Sequence, residues 1–284
     1  MTKKEREEKR EKKLLSLLAF DEDYYTGGKV PTGMDEVGRG PLAGPVVSAC
    51  VCMKKESGIL GIDDSKKVTE LNRIKLFDRI IEDARAVGVG IVPQNIIDGI
   101  NILNATKLAM KAAFYDMLCA ERSIDRGGLI SNYESLVSLV CASGLSIVPS
   151  SDCNDANHER FALSKIIAET KEMHYNMDGS ADKDSVCTCD ASLKKNDIVL
   201  LIDAVEPEDV GAVYHSVVKG DEKSYSIAAA SIVAKVIRDE IMKRADKIYP
   251  GYDLKGNKGY GTKKHYEGIK LYGISDIHRK TFVR

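Results

Sequence analysis

The sequence of 284 residues predicts an α/β layer fold. Two patterns point there. Short β-rich runs recur at 46–52 (VVSACVC), 86–92 (AVGVGIV) and 197–203 (DIVLLID). Helical apolar spacing accompanies them, most clearly over 224–242, where Ile227, Ala230, Ala234, Ile237 and Ile241 lie 3, 4, 3 and 4 apart. A chain of this length, with 43% hydrophobic residues, can also bury a sizeable core.

Taken in order, residues 1–30 read as a charged N-terminal arm. The run MTKKEREEKREKK is helix-prone but has nothing to bury, so a frayed helix is expected, with LLSLLAF at 14–20 docking it on the body. Thr26-Gly27-Gly28-Lys29 is a turn into a first strand that ends near Asp35 and Glu36. A Gly-Arg-Gly turn and the 46–52 strand follow, then a loop at 58–67. Thr69 is placed to cap a helix running to residue 84, and 86–92 is a third strand. A helix covers 95–118. Residues 125–196 have no sustained pattern and read as a flexible insertion, with helical pieces near 136–139 and 161–169. Strands at 197–203 and 211–219 come next, then the 224–242 helix, and a C-terminal helical region at 245–284 with a short helix near 266–271.

Charge and cysteine usage limit the function classes. The 42 basic and 43 acidic residues nearly cancel, so bulk polyanion affinity is excluded. The last 30 residues differ, with eight Lys/Arg against two acids, a local basic patch suited to nucleic acid. Seven irregularly spaced cysteines argue against a disulfide framework, and no apolar run approaches a membrane span. A cytoplasmic, monomeric protein with no membrane contact is expected. Cys153, His158, Cys187 and Cys189 have no common zinc spacing, so an ordinary loop is expected there; Cys50 and Cys52 read as small apolar strand residues.

The chemistry concentrates in Gly33-Met34-Asp35-Glu36-Val37-Gly38-Arg39-Gly40-Pro41-Leu42-Ala43-Gly44-Pro45. Adjacent acids repel, and a folded chain that keeps such a pair usually spends it on a cation. The glycines let backbone approach a ligand, and Arg39 offers a fork of donors suited to phosphate. Asp203 and Asp221 each follow a strand, where carboxylates can converge on a hard cation. One constraint follows from strand geometry: neighbouring side chains point to opposite faces. Asp35 and Glu36 therefore share an ion only if the strand breaks, or if Glu36 acts through its carbonyl or a water. Asp35 is expected to be the central ligand.

GMDEVGRGPLAGPVV resembles the signature of the bacterial type 2 ribonucleases H, the ribonuclease HII family. The resemblance extends over 33–118 and 198–282. It implies a ribonuclease H-like fold, a five-stranded mixed sheet flanked by helices, forming one catalytic domain over 31–284. It further implies an endonuclease, acting in ribonucleotide excision repair, that hydrolyses the RNA strand of RNA–DNA hybrids. It would also cut 5′ of single ribonucleotides in duplex DNA, by two-metal catalysis with Mg²⁺ or Mn²⁺, leaving 5′-phosphate and 3′-hydroxyl ends. Asp35, Glu36, Asp203 and Asp221 match the family's acidic tetrad. Gly38, Arg39 and Gly40 match the turn that senses the 2′-hydroxyl, and Tyr260 the tyrosine that stacks on the junction sugar. Ser65 and Lys66 match a phosphate-binding loop; Asn101, Asn104 and Thr106 would touch the DNA strand, and Lys219 the scissile phosphate. The 224–242 helix is assigned packing rather than chemistry.

The Gly-Arg-Gly turn and the final Asp favour type HII over type HIII, which carries a different basic residue in that turn and a different last acid. Ala204 departs from the family's usual glycine, which opens a second reading as a weakened or silent hybrid-binding protein. Another two-metal nuclease on the same fold, such as a junction resolvase, would not need the Gly-Arg-Gly turn or Tyr260. The C-terminal Thr281-Phe282-Val283-Arg284 carries no clamp-binding motif.

Overall fold

The computed structural model describes residues 2–119, 195–203, 205–207 and 210–283. The insertion at 125–196, apart from its last two residues, and Ala204 lie outside the described residues, so the loop, zinc and glycine-replacement readings do too.

A five-stranded mixed sheet organises the chain. Its strands are β1 (Val30–Val37), β2 (Val46–Met53), β3 (Ala84–Val92), β4 (Ile198–Ile202) and β5 (Val213–Ser216). They lie in the order β3-β2-β1-β4-β5. The first three form an antiparallel meander, while β4 joins β1 in parallel and β5 joins β4 in parallel. The helices are α1 (Lys3–Thr26), α2 (Glu70–Asp83), α3 (Gln94–Cys119), α4 (Tyr225–Ile248), α5 (Leu254–Asn257) and α6 (Lys263–Tyr272).

Strand alternation divides the core. Ala49 and Val51 face α4, α2 and Leu17 of α1, whereas Met34, Cys50 and Cys52 face the α3 side, with both thiols free and buried. Glycines set the helix distances. At Gly33 a Cβ would overlap the backbone of Ser226 and Ile227, so α4 lies directly on β1.

Several elements depart from their sequence pattern. The N-terminal run is not frayed: α1 is continuous from Lys3, and Thr2 and Glu5 close a reciprocal capping box at its start. Thr69 stands at the N-cap of α2 without a side-chain cap bond. Within α3, Asn101 takes φ 67°, and its side-chain oxygen accepts the Asn104 N–H at 3.1 Å, so one apparent helix is two joined at a cap. Regular strand at the fourth position stops at Ile202, and the expected strand 211–219 shrinks to four exposed residues. Its end is a turn because Lys219 adopts a left-handed conformation and Gly220–Glu222 is 3₁₀.

Candidate active site

Parallel pairing of β1 and β4 ends at Met34 and Ile202, so Asp35 and Asp203 occupy matching positions just beyond it. That is the carboxyl edge of the parallel strands, where open α/β sheets usually bind ligands. The Asp221 turn is tied to this edge, since Gly220 N–H donates to Asp203 Oδ1 at 3.1 Å.

Strand β1 does not break between the two adjacent acids; its pairing to β2 continues through Val37. Asp35 Oδ1 accepts the Glu36 N–H at 2.9 Å, and the Asp35 carbonyl accepts Ser48 Oγ. Both side chains nevertheless lie in the field of Asp203. Burial, then the charge of Glu36, pushes Asp35 well above the usual carboxylate range; its bonds to Ser231 and the Glu36 N–H oppose this, and Asp203 adds to it. Burial also raises Glu36, against the Arg39 guanidinium 3.3 Å away. Asp221 is pushed up to about 6 by burial, then by Asp64 and Asp203, with Lys66 opposing. Asp203 is thus the carboxylate whose field reaches the other three.

These residues suit a hard cation. Glu36 Oε2 is buried and has no hydrogen-bond partner among the described residues, and the cluster's negative charges are incompletely compensated. No three His, Cys, Asp or Glu side chains among the described residues are arranged to hold a metal ion between them. Mg²⁺ commonly takes only one or two carboxylates and completes its shell with water and substrate phosphate. Besides Arg39, a second cation, Lys66, stands at the cluster. Burial works against the Lys66 ammonium, yet Asp64, Asp221, Asp35 and Asp203 together raise its pKa.

Beside the acids, Gly38 has φ +95°, and a Cβ there would lie 2.8 Å from the Pro45 carbonyl and overlap Arg238. Two fully buried arginines hold the loop. Arg279 donates to the carbonyls of Gly38 (2.5 Å), Arg39 (2.9 Å) and Gly44 (2.9 Å). Arg238 donates to those of Pro45, Lys258 and Ala43 at 2.9, 2.9 and 3.2 Å. Arg39 and Gly40 stay exposed, and the half-exposed Tyr260 ring lies 3.7 Å from where a Gly40 Cβ would be. The structure therefore brings the four acids and Lys66 within one another's field and sets Tyr260 beside the turn.

The family model for ribonuclease HII matches residues 32–125 and 209–284. The chain belongs to the ribonuclease HII family. It is accordingly a ribonuclease H hydrolase. The ribonuclease HII of Clostridioides difficile strain 630 is 37% identical over 277 residues, covering 97% of this chain and 79% of that protein. That of Acetivibrio thermocellus is 37% identical over 283 residues, covering 99% and 81%. Among solved structures, the PCNA:RNase HII complex from Archaeoglobus fulgidus matches with a TM-score of 0.50 at 20% identity, covering 90% of this chain and 96% of that one. That likeness concerns the fold.

The other predicted contacts are placed unevenly. Asn101 and Lys219 are exposed, and Asn104 is partly buried. Thr106 is a correction: it is fully buried, and its hydroxyl donates to the Ile102 carbonyl at 2.7 Å, so it serves the helix rather than a substrate surface. Ser65 is also buried; its Oγ lies at hydrogen-bond distance, 2.8 Å, from Ser231 Oγ, and Ser231 also hydrogen-bonds Asp35. Helix α4 therefore does more than pack, contributing Ser231 and Arg238 to the site.

Sequence reasoning also missed a buried relay behind Tyr260. His265 Nδ1 contacts the Tyr260 carbonyl at 2.9 Å, its Nε2 meets His278 Nε2 at 3.1 Å, and His278 Nδ1 accepts the Ser275 N–H at 3.0 Å. These partners assign a neutral pair, with Nδ1–H on His265 and Nε2–H on His278. Burial lowers both pKa values, and His265 helps drive His278 to about 4. An unfolded histidine titrates near 6.5, so the folded chain binds fewer protons below that pH. Stability should be complete above about pH 6.5 and fall as the pH drops toward 4. Thermal unfolding from pH 7.5 to 4.5 checks this: the gap between wild type and His278→Leu should narrow on acidification, and a constant gap would contradict it.

Proposed function

We propose that the protein hydrolyses the RNA strand of RNA–DNA hybrids and cuts 5′ of single ribonucleotides in duplex DNA, as a cytoplasmic monomer. The observation that carries this reading is the cluster of mutually repelling acids beside a rigidly held Gly-Arg-Gly turn. Asp35, Glu36, Asp203 and Asp221 would hold two divalent ions, Mg²⁺ or Mn²⁺. Bound there, the ions supply activation of the attacking water and neutralise charge on the departing 3′-oxygen.

The chain's own groups do the selecting. Fixed by Arg279, the backbone of Gly38, Arg39 and Gly40 presents hydrogen-bonding groups to the 2′-hydroxyl, the group that distinguishes RNA from DNA. Tyr260, packed beside Gly40, stacks on the sugar at the junction. Lys66 and Lys219 contact phosphate, Ser65 shapes the loop that carries Lys66, and Asn101 and Asn104 meet the DNA strand. No helix among the described residues is long and apolar enough to cross a membrane.

The test is a DNA duplex carrying one ribonucleotide, incubated with Mg²⁺ or Mn²⁺, beside Asp35→Asn. A cut on the 5′ side leaving 3′-hydroxyl and 5′-phosphate ends, absent in the variant, is the expected result. Binding without cleavage in either metal would overturn the reading in favour of a silent hybrid-binding protein.

A further inference from the structure

We propose that α1 is a clasp that sets the position of Asp221, with Lys13 and Asp21 as positioning residues. The proposal rests on the reading of Asp221 as a metal ligand. The segments matched by the family model begin at residue 32, so α1 lies outside them.

Helix α1 grips the segment just after Asp221 at two points. Lys13 Nζ donates to the Glu222 carbonyl at 2.6 Å, one residue beyond Asp221. The same ammonium lies 3.7 Å from the carboxylate of Asp63, next to Asp64 in the loop that carries Ser65 and Lys66. One cation therefore joins the Asp221 turn to the loop facing it. Two helical turns further along, Asp21 is buried at 4% exposure. Its carboxylate accepts from Ser224 Oγ at 2.6 Å, Ser226 N–H at 2.8 Å and Ser226 Oγ at 2.7 Å. Ser224 is the N-cap of α4, so this carboxylate also faces the positive end of that helix.

The grip is rigid because its base is packed. Leu14, Leu17 and Leu18 share the face that carries Asp21, at spacings of 3, 4 and 7 from Leu14. Leu17 is fully buried in the main core, and Leu14 and Leu18 pack against it. Lys13 flanks this stripe with a third of its side chain exposed.

The segment needs such support. Strand β5, which leads into it, is four exposed residues paired to β4, and the turn starts at left-handed Lys219. Asp221 itself faces the like charges of Asp64 and Asp203, with Lys66 opposing them. A lysine that holds the adjacent carbonyl keeps the carboxylate in place against that repulsion. Residues that orient a ligand without touching the metal commonly govern affinity by about 10- to 100-fold.

The experiment compares wild type with Lys13→Met, Lys13→Arg, Lys9→Met and Asp35→Asn, all as the full chain. Lys9 is exposed on the same helix, so its variant makes the same charge change away from the clasp. Mn²⁺ binding to the free protein is followed by the electron paramagnetic resonance signal of unbound Mn²⁺, and cleavage of the single-ribonucleotide duplex gives the half-activating Mn²⁺ concentration and KM. Lys13→Met should weaken Mn²⁺ binding and raise the half-activating concentration by about 10-fold, with KM for the duplex within about twofold. Lys13→Arg should recover most of the loss and Lys9→Met should match wild type. Wild-type metal binding in Lys13→Met, or an equal loss in Lys9→Met, would overturn the clasp. Asp35→Asn separates the two readings. If it still cuts, the assignment of the acids is wrong; if it is inactive while Lys13→Met behaves as wild type, the clasp alone is wrong.

Discussion

Asp203→Asn should lower cleavage of a single-ribonucleotide duplex by about 10³-fold or more, while leaving the fold intact. Metal-ion stabilisation of a transition state is worth several kcal/mol, and each 1.36 kcal/mol is a factor of ten. Asp203 is chosen because its charge acts on Asp35, Glu36 and Asp221 together. The amide oxygen of asparagine can still accept the Gly220 N–H, so the Asp221 turn keeps its tie to β4. Removing one charge from a repelling set should hold or raise the metal-free melting temperature. Lost activity with retained stability is therefore the expected pair of results from cleavage assays and calorimetry. A variant that keeps more than a tenth of wild-type activity would remove Asp203 from the reaction.

Gly33→Ala should damage the fold itself. The added methyl would overlap the Ser226 and Ile227 backbone, which cannot rotate away as a side chain could. Strand β1 and helix α4 would have to separate, and α4 carries both Ser231, bonded to Asp35, and Arg238, bonded to the loop after the turn. Overpacking of this kind typically costs about 1–3 kcal/mol and occasionally more; the upper end corresponds to a fall in melting temperature of roughly 6–12 °C. Calorimetry reads the fall, and the surviving folded fraction should also cut slowly because Ser231 has moved. An unchanged melting temperature would mean that α4 can shift without cost.

The acids and the turn were legible in sequence because their signal is contiguous. Asp35, Glu36 and Gly38 to Gly40 sit in one motif, and Asp203 and Asp221 follow recognisable strand ends. The arginines were not legible, because their partners are remote: Arg279 serves carbonyls at 38, 39 and 44, and Arg238 those at 43, 45 and 258. An arginine beside the apolar stripe of a helix was the available hint, and periodicity alone does not name carbonyl acceptors. Thr106 was misplaced for a different reason. Its place on the substrate surface rests on the resemblance alone, whereas in the fold its side chain is buried and bonded to the Ile102 carbonyl. Docking of the N-terminal helix through Leu17 is legible in the apolar run 14–20, whereas the buried Asp21 just past it is not.

The pairing of β1 also orders events on the ribosome. Its antiparallel partner β2 follows within a few residues, whereas its parallel partner β4 is drawn from the last third of the chain, where Ile198 meets Val30. Contacts between such distant segments carry the larger loop-closure entropy and form later. The β1–β2–β3 meander can assemble while synthesis continues, but its β1 edge waits for Asp203, and Gly33 waits for α4. Until those segments emerge, Asp35 and Glu36 lack Asp203 and Asp221, so the acid cluster is complete only when the fold is closed.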